Sequence, residues 1–173
     1  MCIRDRMIIC ITGVPGVGKS NVAKKLAEQI NAILIDIYDF AIKNNLYEEY
    51  DEAEQTYMVD ENKLFQEIDN YIKNLNNKYI IIEGNFAHLY HKGDLYIVIK
   101  TDPNILYERL SKERNYSYNK IFTNIWAMNL EVIEDELEEM KKEYYVFYNN
   151  KESDINNIIT EIRRLIENKE KPS

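Results

Sequence analysis

The octapeptide Gly13-Val14-Pro15-Gly16-Val17-Gly18-Lys19-Ser20 constrains this chain more than any other stretch. It follows the apolar run Met7 to Ile11 and opens into a helical pattern beginning near Lys19. Strand, glycine-rich loop and helix in that order are the setting of a phosphate-binding P-loop, and the pattern G-x-x-x-x-G-K-[ST] is met without departure. Glycine lets the backbone turn tightly and bring N–H groups round a phosphate with no Cβ in the way. The helix that follows adds free N–H groups and the positive end of its dipole. Lys19 is expected to reach the β- and γ-phosphates as a compact charge. The Ser20 hydroxyl is expected to complete the coordination of Mg²⁺, which prefers hard oxygen ligands. A glycine-rich turn in an unrelated fold would leave the lysine, the serine and both flanking patterns unexplained.

A chain of 173 residues with 45% hydrophobic content suits one domain with a sizeable core and falls short of two. Its formal charge of -8 argues against broad attraction to nucleic acid or anionic membranes, whereas a basic protein partner is compatible with it. Cys2 and Cys10 lie close together near the start, so a disulfide framework is not expected and a reducing cytosol suits them. No apolar run approaches a membrane span and the start has no signal-peptide core, so the expectation is a cytoplasmic protein. Met1 to Arg6 form a short, mostly polar lead before a second methionine, Met7, that begins the first strand directly. Residues 1–6 are therefore expected to be non-native or disordered: a tag, a gene-calling error or an assembly artefact. A single P-loop domain is expected over residues 7–173.

Beyond the P-loop, Val22, Ala23, Leu26, Ala27 and Ile30 recur at helical spacing, and Ala32 to Ile35 read as a second buried strand. Asp36 closes that strand and Asp39 follows before a short helical piece; each suits a cap as well as a site at the carboxyl end of a strand. Leu46 to Asp60 are polar and tyrosine-rich without a clear period, which predicts a surface excursion over a second substrate. A helix follows with Leu64, Phe65, Ile68, Tyr71, Ile72 and Leu75 on one face. The strand Tyr79 to Ile82 ends in Glu83-Gly84-Asn85, and an acid there, paired with a P-loop, has the character of a Walker B residue. His88 and His91 lack companions at zinc spacing and read as surface histidines. Leu95 to Ile99 make a fourth strand, after which Thr101-Asp102-Pro103 supply a helix cap and an N1 proline.

Arginine is scarce, and phosphoryl transfer needs mobile positive charge over the transferred group. Arg109, and Arg114 in the polar break from Lys112 to Ser117, are the candidates, Arg114 standing where a small lid would carry it. One long helix is expected next, with Trp126, Leu130, Ile133, Leu137 and Met140 as its core stripe and Glu131, Glu134, Asp135, Glu138 and Glu139 largely on its wet side. Tyr144 to Tyr148 read as a fifth strand, Asn149-Asn150-Lys151 as a loop that could contact a base, and Ser153 as the cap of a last helix with a fraying tail from Asn168. Alternating strands and helices imply a parallel sheet with helices on both faces, an α/β P-loop NTPase.

These residues also resemble a family. The P-loop, Asp39-Phe40-Ala41, the run from Leu46-Tyr47 through Tyr50-Asp51-Glu52 to Val59-Asp60-Glu61, and Thr101 through Leu110 look like adenylate kinase isoenzyme 6, the branch that includes the coilin-interacting nuclear ATPase. The resemblance runs from Met7 to about Ile166. It implies a nucleoside-monophosphate-kinase fold with an AMP-side segment at about 37–75 and a short lid at about 112–118. It implies transfer of the γ-phosphoryl of ATP to AMP with Mg²⁺, accompanying ATPase activity, and a role in ribosome biogenesis through a basic small-subunit ribosomal protein.

By the same resemblance Gly13, Val14, Pro15, Gly16, Val17, Gly18, Lys19 and Ser20 become the ATP cradle, and Arg109 with Arg114 the phosphate-facing cations. Asp39 falls in the AMP-side segment and Glu83 at the Walker B acid, a metal ligand beside Ser20. Asn85 stands where members commonly carry histidine, which implies weaker hydrolysis, and Ile42 with Lys43 stands where they carry an arginine, which implies weaker AMP affinity. Two other readings share these residues: an assembly ATPase whose ligand is the basic protein, and another P-loop small-molecule kinase.

Overall fold

The computed structural model describes residues 5–172. In chain order it runs β1 (Met7–Thr12), α1 (Lys19–Ile30), β2 (Ile33–Asp36), α2 (Ile37–Lys43), β3 (Tyr47–Asp51), β4 (Thr56–Val59), α3 (Glu61–Lys73) and β5 (Tyr79–Glu83). It continues with β6 (Leu95–Lys100), α4 (Pro103–Glu108), α5 (Tyr118–Asn129), α6 (Val132–Glu139), β7 (Tyr144–Tyr148) and α7 (Glu152–Glu170). Every residue of β1 is buried, which requires cover on both faces and marks a central strand. The main sheet has the order β2-β5-β1-β6-β7. All its neighbouring pairs are parallel. It is the α/β P-loop architecture that the alternating pattern implies. Ile9, Ile11, Ile80, Ile81, Ile82 and Ile97 fill its centre, with Leu26, Leu64, Ile68 and Ile162 packing in from the helices.

The topology fixes where a ligand can sit. From β1 the chain passes outward to β2, then returns to fill the β5 position between them, and β6 opens the other side. In such sheets the crevice lies beyond the carboxyl ends of the strands where the winding reverses. That is where Gly13 to Ser20 and Glu83 emerge.

Several expectations are corrected. Residues 47–59 form an antiparallel hairpin of β3 and β4 rather than an aperiodic excursion. Exposed tyrosines on it pair with one another, Tyr47 and Tyr50 each lying against Tyr57 at 4.9 and 5.2 Å between ring centroids, and with little of it buried no apolar alternation marks the strands. The single long helix is two, broken at Glu131, whose φ of 56° is left-handed. The buried positions explain the break: Ile121, Ile125 and Met128 share one face of α5, and the step from Met128 to Ile133 is out of phase with a continuous helix. Turning the chain brings Ile133 and Leu137 inward and leaves Trp126 and Leu130, expected in the core, exposed at 64% and 69%. Glu134, expected on the wet side, is buried because Lys100 at the end of β6 pairs with it at 2.8 Å.

The last helix starts two residues earlier than a Ser153 cap would set: Lys151 is its N-cap, and Asp154 accepts from the backbone N–H of Asn150 and Lys151 at 3.0 and 3.1 Å. It also remains helical through Glu170, where the Glu170 carboxylate accepts from Tyr79 and pairs with Lys78, so the expected fraying at Asn168 is not seen. Of the lead, residues 1–4 lie outside the described residues. Arg6 donates to the carbonyls of Ile72 and Leu75 at the end of α3. Among the described residues no helix is long and apolar enough to cross a membrane.

Candidate active site

The phosphate loop is shaped by its glycines and then held from outside. Gly18, with φ of 85°, is the N-cap of α1, and a Cβ there would collide with the Asn149 side chain. Asn149, buried after β7, donates from Nδ2 to the carbonyl of Val17 at 3.0 Å. Gly16, with φ of 90°, lies on Leu106 and Leu110, where a Cβ would come within 2.9 and 2.8 Å. Arg109 makes a second brace: its Nη1 donates to the Gly16 carbonyl at 3.1 Å and to the Thr101 hydroxyl at 3.3 Å, and its Nη2 to the Asn150 carbonyl at 3.2 Å. The guanidinium thus ties the loop to the ends of β6 and β7, a task its rigid fork of donors suits. It is a brace on the loop more than a free cation. Lys19 is buried and its ammonium reaches back to the Val14 carbonyl at 3.3 Å.

Three oxygen-bearing side chains share the cleft with Lys19. Glu83 ends β5 directly beside Ile11 of β1 and beside Asp36 of β2. Asp36, Glu83 and Ser20 all line one cleft of about 1110 Å³. Asp39 does not: it points outward on α2 and pairs with Lys43 at 2.9 Å. Asp36 caps α2, its Oδ1 accepting from the Asp39 N–H at 3.0 Å, so the closing acid of the strand faces the cleft and the later one serves the helix surface. Burial pushes the Glu83 carboxyl up, with Lys19 opposing and Asp36 reinforcing. Burial pushes the Lys19 ammonium down, with Glu83 opposing and Arg114 reinforcing. Each is poised to gain its charge from a ligand of opposite sign. Among the described residues no group of three or more His, Cys, Asp or Glu forms a cage for a metal. The hydroxyl and two carboxylates are instead a hard-oxygen set of the kind Mg²⁺ shares with bound phosphates.

The segment expected to form a lid is built from an unusual turn. After α4 a π-helical turn, Arg109–Glu113, ends at Arg114, and Asn115 takes a left-handed φ of 52° before Ser117 caps α5. π-turns recur at functional sites. Arg114 is exposed, lines the cleft, and donates from Nη1 to the Tyr116 hydroxyl at 3.3 Å. The far wall of the cleft comes from residues the sequence did not single out: Tyr38 on α2, Gln55 and Tyr57 on the hairpin, and Lys120 and Asn124 on α5. Gln55 joins the hairpin to the start of α5, its Oε1 accepting from the Ser117 N–H at 2.7 Å and its carbonyl from Lys120 at 3.3 Å. No local signal announces such a contact, because its partners are some sixty residues apart in sequence.

Asn85 also lines the cleft. The turn Ala87–Leu89 behind it holds His88, which is buried rather than a surface histidine: its Nδ1 lies 2.9 Å from the Thr12 hydroxyl and its Nε2 3.4 Å from Glu136 on α6. His91 is exposed, as expected.

Residues 9–137 match the AAA domain family. A protein of Saccharolobus islandicus named "Putative adenylate kinase" is 38% identical over 137 residues, 79% of this chain and 71% of that protein. This chain belongs to that adenylate kinase family. A member of the same name from Methanocaldococcus jannaschii is 37% identical over 163 residues, 94% of this chain and 88% of its own. In fold, shikimate kinase from Acinetobacter baumannii in complex with shikimate is similar with a TM-score of 0.65 over 96% of each chain, at 16% identity. The family match and the fold likeness together support a P-loop kinase.

Proposed function

We propose that the protein is a Mg²⁺-dependent adenylate kinase of the isoenzyme 6 branch, working in the cytoplasm and moving the γ-phosphoryl of ATP to AMP. The observation that carries this is the single cleft with two unlike ends, the phosphate loop at one and the hairpin with α2 and α5 at the other, with Lys19, Glu83 and Arg114 between them. About 1110 Å³ exceeds what one ligand of ordinary size needs and suits two nucleotides meeting phosphate to phosphate. In the transfer an oxygen of the AMP phosphate attacks the γ-phosphorus while its bond to the β-phosphate oxygen breaks, giving two ADP. The attacking oxygen is already ionised, so no base is required, and positioning with charge neutralisation does the work.

The phosphate loop would hold the β- and γ-phosphates, Lys19 would follow the γ-phosphoryl, and Arg114 would close over it from the lid. Ser20, Glu83 and Asp36 would hold Mg²⁺, directly or through water; when bound, that ion supplies bridging positive charge to the phosphate oxygens. A bound cation would favour the charged form of Glu83 and bound phosphates that of Lys19, the two groups that burial holds toward neutrality.

The test is ADP formation from ATP and Mg²⁺ with and without AMP, for the intact chain and Lys19→Ala. Strong stimulation by AMP, lost in the variant, is expected; slow hydrolysis indifferent to AMP would end the kinase reading. A second reading rests on Glu83: a carboxyl held up to about 7 could take a proton from water or from a hydroxyl acceptor, as an ATPase or another small-molecule kinase requires. In that case Glu83→Gln abolishes turnover at every Mg²⁺ concentration, whereas a metal-holding role is partly restored by raising Mg²⁺. A basic ribosomal partner would meet Glu131, Asp135, Glu138 and Glu139, which are exposed, and charge reversal there should weaken its capture.

A further inference from the structure

Thr12 is the last residue of β1 and immediately precedes the phosphate loop, and it is wholly buried. Its hydroxyl lies 3.2 Å from the Asn85 carbonyl and 2.9 Å from His88 Nδ1. A hydroxyl has one proton to give, so these two acceptors compete for it unless His88 carries a proton on Nδ1. The other ring nitrogen faces the Glu136 carboxylate at 3.4 Å, and a carboxylate only accepts, so a proton belongs on Nε2. Burial pushes the imidazole down, with Glu136 and Glu134 of α6 opposing, which favours the neutral ring. Glu134 is itself neutralised by Lys100 at 2.8 Å. A neutral ring protonated on Nε2 has a bare Nδ1, which takes the Thr12 proton at the shorter distance. The Asn85 carbonyl, 3.2 Å from the same oxygen, then receives no proton from it, and the Thr12–His88 bond is what ties the end of β1 to the segment after β5.

We propose that His88 is a positioning residue: by accepting the Thr12 hydroxyl it seats the segment after β5, which carries Glu83, Gly84 and Asn85, against the start of the phosphate loop. One imidazole joins three elements that the transfer needs in register: β1 at Thr12, the turn after β5, and α6 at Glu136. The role rests on the kinase reading for its catalytic consequence, but the hydrogen-bond assignment does not.

The experiment has two arms. In ¹⁵N-labelled protein the His88 ring is expected to show a protonated Nε2 and a hydrogen-bonded, unprotonated Nδ1. Thr12→Val should move the Nδ1 signal to that of a free lone pair and shift the backbone amides of Gly84 and Asn85. An Nδ1 signal that Thr12→Val leaves unmoved, or unshifted Gly84 and Asn85 amides, overturns the proposal.

In the kinetic arm, His88→Asn places an amide where Nδ1 sits and keeps the Thr12 contact, whereas His88→Gln reaches Glu136 and loses it. His88→Gln and Thr12→Val should lower kcat for ADP formation about tenfold with KM for ATP within about twofold, while His88→Asn and Thr12→Ser stay within about twofold of wild type. Equal kcat in all four variants, with losses confined to melting temperature, overturns the proposal and leaves His88 a packing residue. Should wild type form no ADP from AMP, the kinase reading fails and the spectroscopic arm still decides the His88 assignment.

Discussion

The two ends of the cleft are built by opposite means. At the phosphate-loop end every support is short-reaching and redundant: Arg109 grips Gly16, Thr101 and Asn150, Asn149 grips Val17, and Leu106 and Leu110 lie under Gly16. At the other end, among the described residues, a two-stranded hairpin with exposed tyrosines is hydrogen-bonded to the start of α5 through one residue, Gln55. The first end is a preformed cradle; the second is an arm held by its tip. A site that must close on two ligands without hydrolysing the first needs one fixed half and one that can be released.

The largest effect that would break this contrast is at Lys19. Lys19→Ala should lower ADP formation about a thousand-fold, the scale of losing one preorganised charge at a transferring group. A loss below tenfold would mean that the cradle is not the reactive end. Next is Arg109→Ala, which strips donors from two backbone carbonyls and should cost ~2 kcal/mol in denaturant unfolding while raising KM for ATP. Arg109→Lys should recover little, since a single ammonium cannot reach Gly16 and Asn150 together. Full recovery would show that charge, not the fork, is what matters.

Gln55→Ala should act on the other end alone: KM for AMP rising about fivefold, ATP affinity and melting temperature unchanged. An equal effect on both nucleotides would mean the two halves move as one. The smallest effect is a proton count, read by titration calorimetry in buffers of different ionisation heat. Lys19 is pushed down to about 8, so above that pH the free protein has lost part of its ammonium and ATP binding should take a proton up. Glu83 is pushed up to about 7, so below that pH Mg²⁺ binding with ATP should release a proton. A count that keeps one sign from pH 6 to 9 would disprove the pairing of these groups with ligand charge.

This contrast also decides what the sequence discloses. The cradle is written in consecutive residues, because a motif of fixed spacing, the strand before it and the helix after it are all local. Asp102 and Pro103 were legible for the same reason: the cap accepts from Asn104 two residues on, at 3.0 Å. The arm is legible only as an absence of pattern, since its strands bury almost nothing. Arg109 was visible as a scarce residue, but its partners lie at positions 16, 101 and 150, and only the folded sheet brings them together. His88 misleads for a related reason. Its partners, the buried Thr12 and the half-exposed Glu136, come from β1 and α6, and neither marks itself locally. Choosing between Asp36 and Asp39 required the backbone direction at the end of β2, which spacing does not give.

The Arg109 brace has a consequence for how such a protein can diversify. All of its partners belong to the cradle side, and none to the hairpin. Substitutions that reshape the hairpin therefore have no direct lever on the phosphate loop, and drift on the acceptor side leaves the donor side intact. A fold wired this way is a chassis on which one half can be kept while the other is rewritten.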